Sequence, residues 1–160
     1  MKRIILAAFL IALFVTPRQD LLAHCEVPCG IYHDELRFEL IDEHIQTIAK
    51  SMAKIVELSA DETVNYNQVV RWVNTKEAHA DKIQEIVKQY FLTQRIKIAA
   101  PDDEEKYEFY LSSLKYLHEV LVYSMKCKQG TDEENVKKLQ ASADSFKKLY
   151  LQEHEKSHKK

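Results

Sequence analysis

The chain has only two glycines, Gly30 and Gly130, and three prolines, Pro17, Pro28 and Pro101. The stretches 31–100, 102–129 and 131–160 therefore contain neither of the residues that most readily break a helix. An excess of charge of one sign is also missing: charged residues make up 30% of the chain, both signs are interspersed, and the formal net charge is −2. With no basic stripe and no acidic tail, nucleic acid is not an expected partner. Apolar runs are scarce too. The one long run, "IILAAFLIALFV" from Ile4 to Val15, is too short to span a bilayer comfortably as a permanent anchor. At 160 residues the chain can bury a real core, and nothing marks a second domain.

What is present begins with that apolar run. Lys2 and Arg3 precede it and "TPRQDLLA" follows, the layout of a secretory signal peptide over residues 1–23, with an uncleaved anchor as the alternative. Ala23 suits the position before the cut, although Leu21 is larger than the small residue preferred two places earlier. The expected product is exported, periplasmic or extracellular, and keeps no stable membrane anchor. Cleavage removes Lys2, Arg3 and Arg18 against Asp20 alone, so the mature chain is more acidic than the whole.

Beyond residue 33 apolar residues recur at alternating intervals of three and four, the spacing that buries one stripe of a helix. This predicts a first helix over about Asp34–Ser59 with Phe38, Ile41, Ile45, Ile48, Met52 and Ile55 on its buried face. A second, over about Asn67–Ile98, carries Val69, Trp72, His79, Ile83, Ile86 and Tyr90, before "KIAAPDDEE" breaks the chain. A third carries Tyr107, Tyr110, Leu114, Leu117 and Leu121 and stops before "KQG", where Gly130 is expected in the left-handed conformation. A fourth opens on "TDEE", with Thr131 as N-cap and Glu134 completing a capping box, and has Val136, Leu139, Ala143, Phe146 and Tyr150 as its seam. Four such helices with short connections pack most simply as an all-α, antiparallel up-and-down four-helix bundle, here over residues 33–160. His154 and His158 have the spacing of a helical metal pair, but they stand in the polar tail "HEKSHKK", where an exposed end is the plainer reading.

The segment "HCEVPCGIY", residues 24–32, lies between leader and bundle. A cut after Ala23 makes His24 the first residue and gathers a free amine, an imidazole and the Cys25 and Cys29 thiols within one short hook. Amines of this kind titrate near pH ~7.7–8.0 and free thiols near ~8.5, so a metal can displace their protons at neutral pH. The amide that follows a leading amine, here that of Cys25, can also lose its proton and close a chelate ring. Planar nitrogen ligation favours copper(II) or nickel(II), whereas a tetrahedral set of Cys and His alone favours zinc. Pro28 and Gly30 suit a tight turn that returns Cys29 toward Cys25. In an exported chain the same C-x3-C pair reads equally as a small disulfide loop on a structural or interaction bundle. A hook that carries nickel or copper for delivery, without turnover, is a further reading.

"HCEVPCGIY" resembles the amino-terminal nickel hook of nickel superoxide dismutases, whose pattern is His-Cys-x-x-Pro-Cys-Gly-x-Tyr, and matches it at His24, Cys25, Pro28, Cys29, Gly30 and Tyr32. "RWVNTKEAHADKIQEIVKQYFLTQRIK" looks like the second-helix segment of the same family, so the resemblance extends over the expected mature chain. It implies a nickel ion held by the His24 amine, the Cys25 amide and the Cys25 and Cys29 thiolates, with the His24 imidazole joining in the oxidised state. It implies superoxide as substrate, a Ni(II)/Ni(III) cycle and a homohexamer. Tyr32 falls where the family has a tyrosine flanking the open face of the nickel. Glu39 falls at a glutamate that supports the histidine ring, with one residue deleted after Tyr32, and His79 falls where some members have arginine. Read from the residues alone, Tyr32 is a packing aromatic, Glu39 a solvated helix flank and His79 a core histidine. His33 is expected to face solvent, His44 and His118 to be structural, and Cys127 to be a free or buried thiol.

Overall fold

The computed structural model describes residues 34–158, so the leader, the hook at 24–32 and His33 lie outside the described residues. Four helices follow one another: α1 (Asp34–Ser59), α2 (Tyr66–Glu85) with a π-helical continuation (Ile86–Arg95), α3 (Glu104–Gln129) and α4 (Glu133–His158). No strand occurs among the described residues, and no helix there is long and apolar enough to cross a membrane. α1 packs on α2, α2 on α3, α3 on α4, and α4 closes the ring on α1, the antiparallel four-helix bundle expected from the short connections.

α1 has the expected bounds and buries all six residues of its expected stripe. Asp34 and Glu35 in its first turn suit the positive end of the helix dipole. α2 is capped by Asn65, whose side chain accepts from the Gln68 amide at 3.2 Å. Its regular α geometry stops at Glu85, and the expected run to Ile98 is corrected: the π-helical turns end at Arg95, and Ile98 is 88% exposed. The wider turn lets the adjacent Tyr90 and Phe91 both be buried, which regular α spacing does not favour.

α3 departs further from expectation. Its buried line is Ser113, Leu117, Val120, Ser124 and Cys127, while Tyr110, Leu114 and Leu121 are only half-buried. Three of the buried positions are small, so hydrophobicity alone gives little signal there. Gly130 is extended, with φ −162°, rather than left-handed. The end of α3 is closed instead by the buried Lys76, whose ammonium donates to the carbonyls of Lys128 and Gly130 at 2.8 Å each. At the start of α4, Asp132 and not Thr131 is the cap: its Oδ1 accepts from the Glu134 amide at 3.0 Å, and Glu134 pairs with Lys137 instead of closing a capping box. The α4 seam holds, with Leu139, Ala143, Phe146 and Tyr150 buried and Val136 half-buried.

At the end where α1 begins, Phe38, Phe91, Phe146 and Tyr150 form one aromatic cluster. Phe91 lies 4.9 Å from both Phe38 and Phe146, centroid to centroid. The first pair is tilted at 33° and the second edge to face at 83°, and aromatic pairs in such non-stacked arrangements add about 0.5–1.5 kcal/mol each beyond the area they bury. This apolar plug is the floor on which the polar groups at that end stand.

Candidate functional site

The hook residues join the bundle through Asp34, the first residue of α1 and the second after Tyr32. Side chains from two other elements converge on its carboxylate. The Tyr90 hydroxyl and Arg95 Nε donate to Oδ1, the latter at 2.9 Å, and the Tyr150 hydroxyl donates to Oδ2 at 3.0 Å. Arg95 Nη2 also donates to the Tyr90 oxygen at 2.7 Å, and the Arg95 guanidinium lies 4.8 Å from that ring's centre. Arg37 lies over the same ring at 5.2 Å.

Burial raises the pKa of Tyr90, and its hydrogen bond to Asp34 raises it further. Burial and the Asp34 charge act in the same direction on Tyr150. Both phenols therefore remain protonated donors at neutral pH. Hydrogen bonds to a charged group contribute about 1.5–3 kcal/mol each, so this network fixes the start of α1 against the π-helix and α4. The π geometry makes it possible. In a regular α-helix Tyr90 and Arg95 would point ~140° apart, whereas a turn bonded from i to i+5 brings them onto one side.

Further along the α1–α2 contact, His44 and His79 meet with their Nδ1 atoms 3.2 Å apart and their rings edge to face at 88°. His44 is 8% exposed and His79 half-buried. Burial lowers the pKa of both; Lys82 reinforces the effect on each, His79 adds to it at His44, and Glu43 opposes it. Both rings are neutral at neutral pH.

Among the residues expected at the site, His24, Cys25, Cys29 and Tyr32 lie outside the described residues. Glu39 is exposed, one position off the buried Phe38, with no side-chain hydrogen bond or ion pair among the described residues. His79 stands between α1 and α2 against His44, so His44 has a histidine partner and is not the isolated residue that its sequence position suggests. Among the described residues, no three His, Cys, Asp or Glu side chains are grouped so as to hold a metal. Cys127 is fully buried, and burial pushes its thiol up to about 11, so it offers no thiolate at neutral pH.

A family model for nickel-containing superoxide dismutase matches residues 19–154. The chain belongs to that family. No curated protein and no solved structure matches it. As a nickel superoxide dismutase it is an enzyme with nickel as cofactor. The described bundle has no grouped donors for that metal, whereas the matched span includes all of 24–32, whose thiols and imidazole are suitable donors for nickel.

The sequence reading missed Asp34 and Arg95 and treated Tyr90 and Tyr150 only as seam residues. A carboxylate opening α1 was visible, but its partners share one side only because of the π turn. His44 could have been found from register: antiparallel helices that set Asp34 against Tyr90 also set His44 against His79.

Proposed function

We propose that superoxide is dismutated at the processed amino terminus, after cleavage behind Ala23 frees the His24 amine. Nickel would be held by that amine, the Cys25 amide and the Cys25 and Cys29 thiolates, with the His24 imidazole added in the oxidised state. The observation that carries this reading is the family match, which begins at residue 19 and so takes in every fixed position of the hook. When bound, nickel supplies the alternation between Ni(II) and Ni(III) by which one superoxide is oxidised to dioxygen and the next, with two protons, is reduced to hydrogen peroxide. The thiolates and deprotonated amide make the higher state reachable by pushing electron density toward the metal. Tyr32 would help order small anions or water at the metal.

Glu39 and His79 support the His24 ring in this account. A ligating histidine needs a partner for its other nitrogen; Glu39 lies on α1, which the hook enters, and His79 on α2, which packs against α1. Asp34 and His44 are separated by ~15 Å of helix. A ten-residue segment, fully extended, spans at most about 33–36 Å, so residues 24–33 are long enough to double back toward His79. The enzyme is exported to the periplasm or beyond. It assembles as a homohexamer, for which Leu111 and Met125, 46% and 42% exposed on α3, provide apolar outer surface.

Intact-mass spectrometry of the native product, read for start residue and bound nickel beside a superoxide-decay assay, tests this function. The expected result is a chain that starts at His24 with one nickel per subunit and nickel-dependent decay. An active enzyme that starts elsewhere would overturn the hook mechanism.

A further inference from the structure

We propose that His44 is a positioning residue that fixes the tautomer of His79 and thereby the face that His79 offers to the metal-binding hook. This rests on the reading that His24 ligates nickel beside His79. Two Nδ1 atoms 3.2 Å apart share one hydrogen. Two N–H groups would collide there, and two bare nitrogens would repel. With both rings neutral, one ring carries its proton on Nδ1 and the other on Nε2, so the contact makes the two tautomers complementary.

The pair is asymmetric. His44 belongs to the buried stripe of α1, between Ile41 and Ile48, and is 8% exposed. His79 is half-buried, and its Nε2 has no hydrogen-bond partner among the described residues. A histidine that binds a metal through one ring nitrogen donates from the other, and that donor needs an acceptor. His79 Nε2 is an acceptor only if its proton is on Nδ1. With His24 as that donor, His79 Nδ1–H would donate to a bare His44 Nδ1 across the 3.2 Å contact, with the His44 proton on Nε2. Without His44, the His79 ring reverts toward the Nε2–H form common in water and would set a donor against a donor.

The test uses the mature chain with nitrogen-15 in its histidines, first without metal, so that tautomers are read by two-bond proton–nitrogen correlation independently of turnover. In the wild type, His79 is expected as Nδ1–H and His44 as Nε2–H. His44→Asn keeps an acceptor where Nδ1 was and should hold His79 in place, whereas His44→Leu should shift it to Nε2–H. After nickel loading, His44→Leu is expected to slow turnover about 10-fold, and His44→Asn to remain within about 3-fold of wild type. Melting temperatures of both variants separate positioning from loss of fold.

His79 found as Nε2–H in the wild type would overturn the inference. So would a His44→Leu variant with unchanged tautomer and rate, or Leu and Asn variants equally slow at equal stability. A start residue other than His24, or nickel missing from the native enzyme, counts against the proposed function and leaves the tautomer result to be decided by itself.

Discussion

Where α1 begins, Asp34 meets α2's π-helical end as a charged carboxylate held by three donors, while ten residues along the same helix His44 meets His79 as one neutral ring against another. The first contact is saturated. Arg95 and Asp34 side chains are each 23% exposed, and the two phenols beside them remain protonated. The second shares a single hydrogen and leaves an imidazole nitrogen for another partner. One contact holds the start of α1, and the other would help orient the hook under the proposed function. An anchor and an adjustable group thus occupy the same helix–helix seam, and their loss should register in different measurements.

The largest effect is expected where there is chemistry and no core. Cys25→Ser and Cys29→Ser should each abolish turnover while helix content and melting temperature stay near wild type, because a hydroxyl does not replace an anionic sulfur donor at neutral pH. Full activity with metal still bound would remove these cysteines from the redox site. At the anchor, Asp34→Ala leaves a partly buried Arg95 and two phenols without their acceptor. It should cost about 2–3 kcal/mol in denaturant unfolding, less than the ~3–5 kcal/mol of breaking a fully buried pair because the site is partly exposed. A loss under about 0.5 kcal/mol would mean that the network does not hold α1 in place.

At the adjustable contact the order is reversed. His79→Ala should slow turnover by roughly 10–100-fold with little change in unfolding, whereas a collapse of the bundle seen by circular dichroism would make it a packing residue. A smaller effect concerns acid. The folded pKa values of His44 and His79 lie below their ordinary 6.5, so the unfolded chain binds more protons than the folded one as pH falls. Their contribution to stability is complete above 6.5 and declines as pH drops below it toward the folded values. Replacing both histidines by leucine should flatten the pH dependence of unfolding in that window. An unchanged slope would mean that other groups set it.

α1 was legible because Phe38, Ile41, Ile45, Ile48, Met52 and Ile55 are large, apolar and regularly spaced, and burial is what that pattern signals. α3 was less so, since its core line includes Ser113, Ser124 and Cys127 and a competing row of Tyr110, Leu114 and Leu121 is more hydrophobic. The Asp34 network was hidden for a different reason. It depends on a π turn, and residues five apart share a side only after that turn has formed. The hook reads as chemistry in the sequence because its donors lie close together, between His24 and Cys29, but it stands outside the described residues, so the fold adds nothing to that reading. His44 lay between these cases, a single polar residue in an apolar stripe whose meaning depends on the helix opposite.

Whether the first atom of the mature chain is a metal ligand can be tested with one added residue. An alanine placed before His24 turns the amine into a peptide nitrogen with no free lone pair, while every side chain of hook and bundle remains. With the start residue confirmed by mass spectrometry, nickel content and superoxide decay are compared for the chain that begins at His24 and for the extended one. The same helical bundle is expected in both, with nickel-dependent decay lost from the extended chain; undiminished activity with the extension in place would rule out the amine as a ligand.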